Sequence, residues 1–160
     1  MTERTNKLFV TLTLSTLAAW WMSLPYQGFM VYFLIPAVAL LSAVRFSEAR
    51  KHPDTSRLQF ARIAIWLTSV AVILTVHHIR AEQWRETADR VADRINEYSA
   101  REGHCPESVD RWITPDEAKA IHLIYACDNS KPGLIYMDSF EVAARYYYRF
   151  GKREWEWNSG

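Results

Sequence analysis

Charge is nearly absent from the first quarter of the chain. Only Glu3, Arg4 and Lys7 are charged before Arg45, so residues 8–44 form an uncharged run of 37 positions. A membrane-spanning helix needs about 20 consecutive apolar residues. The run is therefore too long for one span, and its length fits two short ones.

The break between these two spans is predicted at residues 25–28, Pro-Tyr-Gln-Gly, because proline and glycine interrupt helices. The spans then cover about residues 8–24 and 29–44. A further uncharged run at residues 63–79 predicts a third span. The polar stretch of residues 45–62 becomes the loop between the second and third spans.

Two other interpretations of the apolar runs are weighed against this one. Basic residues before an apolar core also occur in signal peptides, but residues 1–25 lack a small-residue cleavage site and a second apolar run follows at once. Buried helices of a soluble protein are the second alternative. Trp20 and Trp21 lie at the end of the first run, where aromatic side chains prefer the membrane interface, and this favours a bilayer.

The basic residues predict the orientation in the membrane. Residues 45–62 hold five Lys and Arg against two Asp and Glu, the N-terminus holds Arg4 and Lys7, and residues 25–28 hold none. Basic loops stay in the cytoplasm, so the N-terminus and the 45–62 loop are predicted to be cytoplasmic. Three spans then place everything after residue 80 in the periplasm of a bacterial inner membrane.

The two halves of the chain are predicted to be different in kind. Residues 1–80 form the transmembrane region, which contacts membrane lipid, and residues 81–160 form a small α+β domain. From Arg80 onward there are 12 Lys and Arg against 15 Asp and Glu. This balance excludes nucleic acid as a partner, because nucleic-acid binding needs a basic surface.

The third span is predicted to continue as a helix into the outer domain. Apolar side chains recur there at spacings of three and four, which is the pattern of an amphipathic helix. They are Trp84, Ala88, Val91, Ala92, Ile95 and Tyr98. Gly103 is the expected end of this helix, and Thr114 followed by Pro115 and an acidic pair predicts a short capped helix.

Period-two patterns follow and predict an antiparallel meander of three to four strands. The strands are expected at residues 121–127, 133–137, 143–150 and 153–158, with a type II′ turn at Gly151-Lys152. That turn sets a register in which Tyr148 faces Trp155 and Tyr147 faces Glu156. One face of the sheet would carry aromatic residues and would pack on the long helix.

The segment INEYSAREGHCPES, residues 95–108, resembles the end of the spine helix in type IV pilins and pseudopilins. In that family a membrane helix becomes the spine of the head, and a Tyr…Gly…Pro turn leads into an antiparallel sheet. Tyr98, Gly103 and Pro106 match this order. The resemblance covers about residues 63–158 and implies a pilin-like head. The equivalent helix here is the third span and contains no acidic residue.

Cys105 and Cys127 are predicted to form a disulfide, since a cysteine pair in a small domain outside the cytoplasm is typically oxidised. A metal site from both cysteines with His104 and His122 is the alternative, but the paired two-to-four spacings of zinc sites are missing. His77 and His78 end the third span, where polar residues cost little. No nucleophile elbow or phosphate loop is present, so no catalytic residue, cofactor or metal is predicted.

The remaining function class is protein binding. The expected role is an accessory subunit of an envelope, secretion or pilus-like apparatus. The alternatives are an immunity protein against a membrane- or periplasm-acting toxin, and a ligand sensor. Exposed aromatic residues and one loop are the candidate contact residues. They are Asp138, Phe140, Tyr147, Trp155 and Trp157.

Overall fold

A computed structural model describes residues 3–49, 53–141 and 143–158. The chain divides into two compact units, Met1–His78 and Ile79–Gly160. This division lies within two residues of the predicted one. Each unit is described by itself.

The first unit is helical. It contains α1 (Glu3–Met22), a 3-10 turn (Gly28–Met30), α2 (Val31–Ala49) and the first part of α3 (Pro53–Glu102). The break after α1 falls at the predicted Pro-Tyr-Gln-Gly, where Tyr26 has a φ of 66°. The predicted interruption of the first apolar run is therefore confirmed.

One described helix is long and apolar enough to cross a membrane. It is the stretch Arg57–Glu102 of α3, and only 11% of its apolar window is buried. The helix Gly28–Val44 is apolar but shorter. Serine and threonine side chains interrupt the apolar residues of α1, and Thr11 and Thr13 donate hydrogen bonds to the helix's own carbonyl groups. Three spans thus remain an expectation, and one candidate span is found.

The prediction of a loop at residues 45–62 is wrong for most of that range. Helix α2 continues to Ala49 and α3 begins at Pro53, while residues 50–52 lie outside the described ranges. The stretch holds four Arg and two Ala together with single Glu, Lys, Leu and Gln residues, all of which have high helix propensity. Pro53 occupies the first helical position, where a missing N–H costs nothing.

The continuation of the third helix past Arg80 is confirmed, because α3 reaches Glu102 without a break. Gly103 ends it with a φ of 79°, and its N–H bonds to the carbonyl of Ser99. Only glycine adopts that conformation without strain. Helix α4 (Pro115–Ala120) has the predicted cap, in which Thr114 and Glu117 each bond the other's backbone N–H.

The second unit contains a four-stranded antiparallel sheet in the order β1-β2-β3-β4. The strands are β1 (Ile124–Asp128), β2 (Lys131–Met137), β3 (Arg145–Arg149) and β4 (Glu154–Asn158). The first strand begins three residues later than predicted, because Ile121 caps α4 and His122 adopts a φ of 46°. The α+β fold of the head, a long helix with an antiparallel meander, is confirmed.

The hairpin register is confirmed and its turn type is wrong. Tyr148 pairs with Trp155 and Tyr147 pairs with Glu156, as the alternation predicts. However, the hairpin closes at Arg149, whose carbonyl accepts from the N–H groups of Lys152 and Arg153. The positive φ falls on Arg153, at 56°, and not on Gly151. A four-residue loop with a left-handed last residue replaces the two-residue turn.

The core of the second unit lies between α3 and one face of the sheet. Ala88, Val91, Ala92 and Ile95 of the predicted stripe are fully buried. From the sheet side Leu134 is buried to the same degree. Full burial of a side chain such as Ile95 or Leu134 stabilises the fold by roughly 1.5–3 kcal/mol.

Candidate functional site

A disulfide links the segment that follows α3 to the first strand of the sheet. The sulfur atoms of Cys105 and Cys127 lie at bonding distance, with their Cα atoms 6.0 Å apart, so the predicted pair is confirmed. Beside it the Tyr125 hydroxyl donates a 2.6 Å hydrogen bond to the Pro106 carbonyl. Burial raises the pKa of Tyr125, with a smaller contribution from Tyr98, which keeps the hydroxyl protonated as a donor.

An aromatic cluster that the sequence analysis did not single out adjoins this disulfide. The Arg111 guanidinium lies 4.7 Å from the ring centre of Tyr98 and 4.4 Å from that of Trp112. The Tyr98 ring also meets His104 edge-on. Cation–π contacts of this kind stabilise by about 0.5–1 kcal/mol at exposed sites. Only the position of Tyr98 on the apolar stripe could have indicated the cluster.

The sheet face that covers α3 carries the predicted aromatic residues. Trp155 donates its indole N–H to Asp89 of α3 at 2.5 Å, and the amide of Asn96 donates to the Tyr148 hydroxyl at 3.3 Å. These two contacts fix the sheet's rotation on the helix. The structure thus places Trp155, a predicted partner-binding residue, against the helix.

The opposite face of the sheet contains an apolar row. Ile124, Ile135 and Tyr147 are directly paired across β1, β2 and β3. Ile124 is 54% exposed, and the other two are half-buried. Tyr148 and Trp155, which contact α3, lie on the other face of the sheet. This outer sheet face, defined by Ile124, Ile135 and Tyr147, is the candidate contact surface.

Charged residues border the outer sheet face on one side. Arg149 and Glu156 form an ion pair next to Tyr147, and Lys152 pairs with Glu154 at 3.4 Å. All four side chains are about half exposed or more, so the pairs contribute little stability. Their arrangement gives the apolar row a polar rim.

The other predicted contact residues lie apart from this face. Trp157 is 53% exposed on the edge strand β4. Asp138 accepts the N–H groups of Phe140 and Glu141, which shapes the loop after β2. Phe140 is half-buried in that loop. The structure therefore brings Tyr147 to the outer sheet face and leaves Asp138 and Phe140 in a separate loop.

The histidines and cysteines give no metal site among the described residues. No group of three or more His, Cys, Asp or Glu is placed to hold an ion, and both cysteines are paired. In the first unit His77 is 3% exposed, and its Nε2 lies 2.9 Å from the Met22 carbonyl at the end of α1. His77 thus joins two helices of that unit, while His78 is exposed.

Comparison with known proteins gives no relative. No family model, no curated protein and no solved structure matches this chain. The functional interpretation therefore rests on the residues and their geometry.

Proposed function

We propose that the chain is a bacterial inner-membrane protein whose periplasmic head binds another protein. The outer sheet face carries the proposal, because Ile124 of its apolar row is 54% exposed and Ile135 and Tyr147 are partly exposed. An apolar centre with a polar rim is the anatomy of a protein–protein contact surface. The partner expected here is a different protein, a component of an envelope, secretion or pilus-like apparatus.

The shape of the surface supports a protein and not a small molecule. Ile124, Ile135 and Tyr147 form an apolar row that extends across three strands. Small ligands are taken up by concave sites that cover most of their surface. A complementary protein surface would cover the row and place its own charges beside Arg149 and Glu156. A toxin neutralised by this chain would use the same contact, so the immunity role is tested by the same variants.

The interface test uses the full chain in its native membrane. A photo-crosslinking amino acid replaces Tyr147 on the outer sheet face or Asp93 on the exposed side of α3. We expect a discrete adduct with one other protein at position 147 and none at position 93. Adducts only with lipid, only with a second copy of the chain, or equally at both positions would reject the proposal.

A matched pair of variants then tests the apolar row. Ile124→Glu puts a charge on a side chain that is already half exposed, so folding should be retained. We expect it to weaken copurification of the crosslinked partner at least tenfold, whereas Asp93→Lys leaves it unchanged. Intact disulfide and unaltered circular dichroism serve as the folding check. Equal recovery with both variants would show that the row is not the contact.

The membrane orientation is tested separately. Alkaline phosphatase folds only outside the cytoplasm, so a fusion to the C-terminus should be active, and a fusion within residues 45–62 should be inactive. An inactive C-terminal fusion would overturn the periplasmic placement. A ligand sensor remains the less supported alternative, because residues 45–62 are the longest predicted cytoplasmic segment and are too short for an output domain.

A further inference from the structure

A recess lies in the head, away from the outer sheet face. It is a partly open cavity of about 170 Å³ between the first turns of α3 in this unit and the ends of β2 and β3. The lining residues are Ala81, Glu82, Trp84, Arg85, Tyr136, Asp138, Ser139 and Tyr146. Clefts for drug-sized ligands begin at roughly 300 Å³, so this volume suits a small polar group.

The cavity wall contains the hydroxyl of a buried tyrosine. Tyr136 is 3% exposed; its ring stacks on Tyr146 and meets Trp155 edge-on. Its hydroxyl makes no hydrogen bond with any residue of the described ranges. The oxygen is not among the fully buried, unpaired side-chain atoms of the described residues, so it opens onto the cavity. A group bound in the cavity would accept a hydrogen bond from this hydroxyl.

Charges of both signs surround this hydroxyl. Burial raises the pKa of Tyr136 and of Tyr146, and the positive charge of Arg85, which lines the cavity, acts in the opposite direction. The only ion pair of Arg85 in the described structure is a loose one with Asp89, at 3.9 Å. The guanidinium therefore retains donors for a second anion.

The negative wall is formed by Glu82 and Asp138. A bare anion would be repelled by these carboxylates, whereas a zwitterion satisfies both walls. The ring faces of Tyr136 and Tyr146 cover each other, with a 14° angle between their planes. A quaternary ammonium binds to open aromatic faces, and these faces are covered. A primary ammonium, which donates hydrogen bonds to carboxylates, therefore fits the cavity better.

We propose that this cavity binds a phosphate–ammonium zwitterion, the chemistry of an ethanolamine phospholipid headgroup. Phosphate oxygens accept from the Arg85 guanidinium and the Tyr136 hydroxyl, and the ammonium donates to Glu82 and Asp138. The wall begins at Ala81, two residues after Ile79, the last residue of the apolar run. If that run spans the bilayer as proposed above, the cavity lies at headgroup depth.

Soluble probes test the chemistry independently of the membrane. The full chain in detergent is titrated with O-phosphoethanolamine, O-phosphocholine, ethanolamine or inorganic phosphate by calorimetry. We expect O-phosphoethanolamine to bind at least about tenfold more tightly than each of the other three, because only it pairs both walls. Equal affinity for inorganic phosphate, or no binding of any probe, would overturn the proposal.

Two conservative variants and two controls locate the site. Tyr136→Phe removes the unpaired hydroxyl, and Arg85→Gln removes the cation; each should weaken O-phosphoethanolamine binding about tenfold. Tyr147→Phe and Arg94→Gln change the same residue types outside the cavity and should leave O-phosphoethanolamine binding unaltered. Tyr136→Phe should not lower the melting temperature of the unliganded protein, because no hydrogen bond is lost. A lower melting temperature or unchanged binding would refute the assignment.

Nanodiscs distinguish a lipid headgroup from a free zwitterion. The wild-type chain and Tyr136→Phe are placed in bilayers of phosphatidylcholine with or without phosphatidylethanolamine, and bound lipid is measured by native mass spectrometry. Retention of phosphatidylethanolamine by the wild type alone supports the lipid. Binding of free O-phosphoethanolamine without lipid retention would refute the lipid source. Failure of the alkaline phosphatase test would reject the membrane orientation and leave the result with soluble probes intact.

Discussion

Loss of the Cys105–Cys127 disulfide should destabilise the head by an amount that the structure allows us to estimate. The two cysteines are separated by 22 positions, and closing a loop of this length in the unfolded chain is worth about 3 kcal/mol. For a domain of this size the loss corresponds to a melting temperature lower by roughly 12–24 °C. The wild-type chain in nanodiscs is compared with and without reductant.

The reduced protein should lose structure first at β1. The disulfide joins the segment after α3 to that edge strand, and the hydrogen bond from Tyr125 to Pro106 is a second link between these segments among the described residues. Amide hydrogen exchange should therefore rise in residues 124–128 before it rises in α3. The Cys105→Ala, Cys127→Ala double variant should melt with the reduced wild type and ignore reductant. A drop of less than about 4 °C would mean that the loop-entropy reasoning fails here.

Three further predictions concern stability. Trp155→Phe removes the bond to Asp89 and should cost about 1.5–3 kcal/mol in a denaturant titration, whereas the exposed Trp157→Phe should change little; equal effects would contradict the packing. Thr114→Ala should cost about 1 kcal/mol through loss of the cap, measured by urea unfolding. The backbone and side-chain bonds of Thr114, and then Arg90, hold the pKa of Glu117 below its usual 4.5. The stabilisation by the Glu117 carboxylate should therefore be complete above about pH 4.5 and should disappear as the pH falls through the lowered pKa. Glu117→Gln should abolish this part of the acid sensitivity.

Local sequence patterns predict most of the secondary structure of the head. The stripe on α3 and the alternation of β3 and β4 each have one apolar side, and burial of that side decides helix phase and strand register. The cap at Thr114 and the stop at Gly103 are equally local. The predictions of these features are correct because few competing interactions act on them.

The errors arise where neighbouring alternatives have similar energy. The hairpin could close at Phe150 or at Arg149 with the same pairing register, and the glycine at 151 favoured the shorter loop. The polar residues 45–62 were interpreted as a loop, although their helix propensity is high. Contacts between distant positions also cannot be predicted from local patterns. No such pattern indicates that Asp89 accepts a hydrogen bond from Trp155, 66 residues later in the chain.

The two faces of the sheet explain why a partner is expected. An antiparallel sheet with one solvated face normally alternates apolar inward and polar outward residues. Strand β4 follows this rule, with Glu154 and Glu156 on the outer side. Strands β1 and β2 depart from it at Ile124 and Ile135, which are apolar outside as well. These outward side chains are not part of the inner face, which packs on α3. If the head binds a second protein as proposed, that protein would cover them.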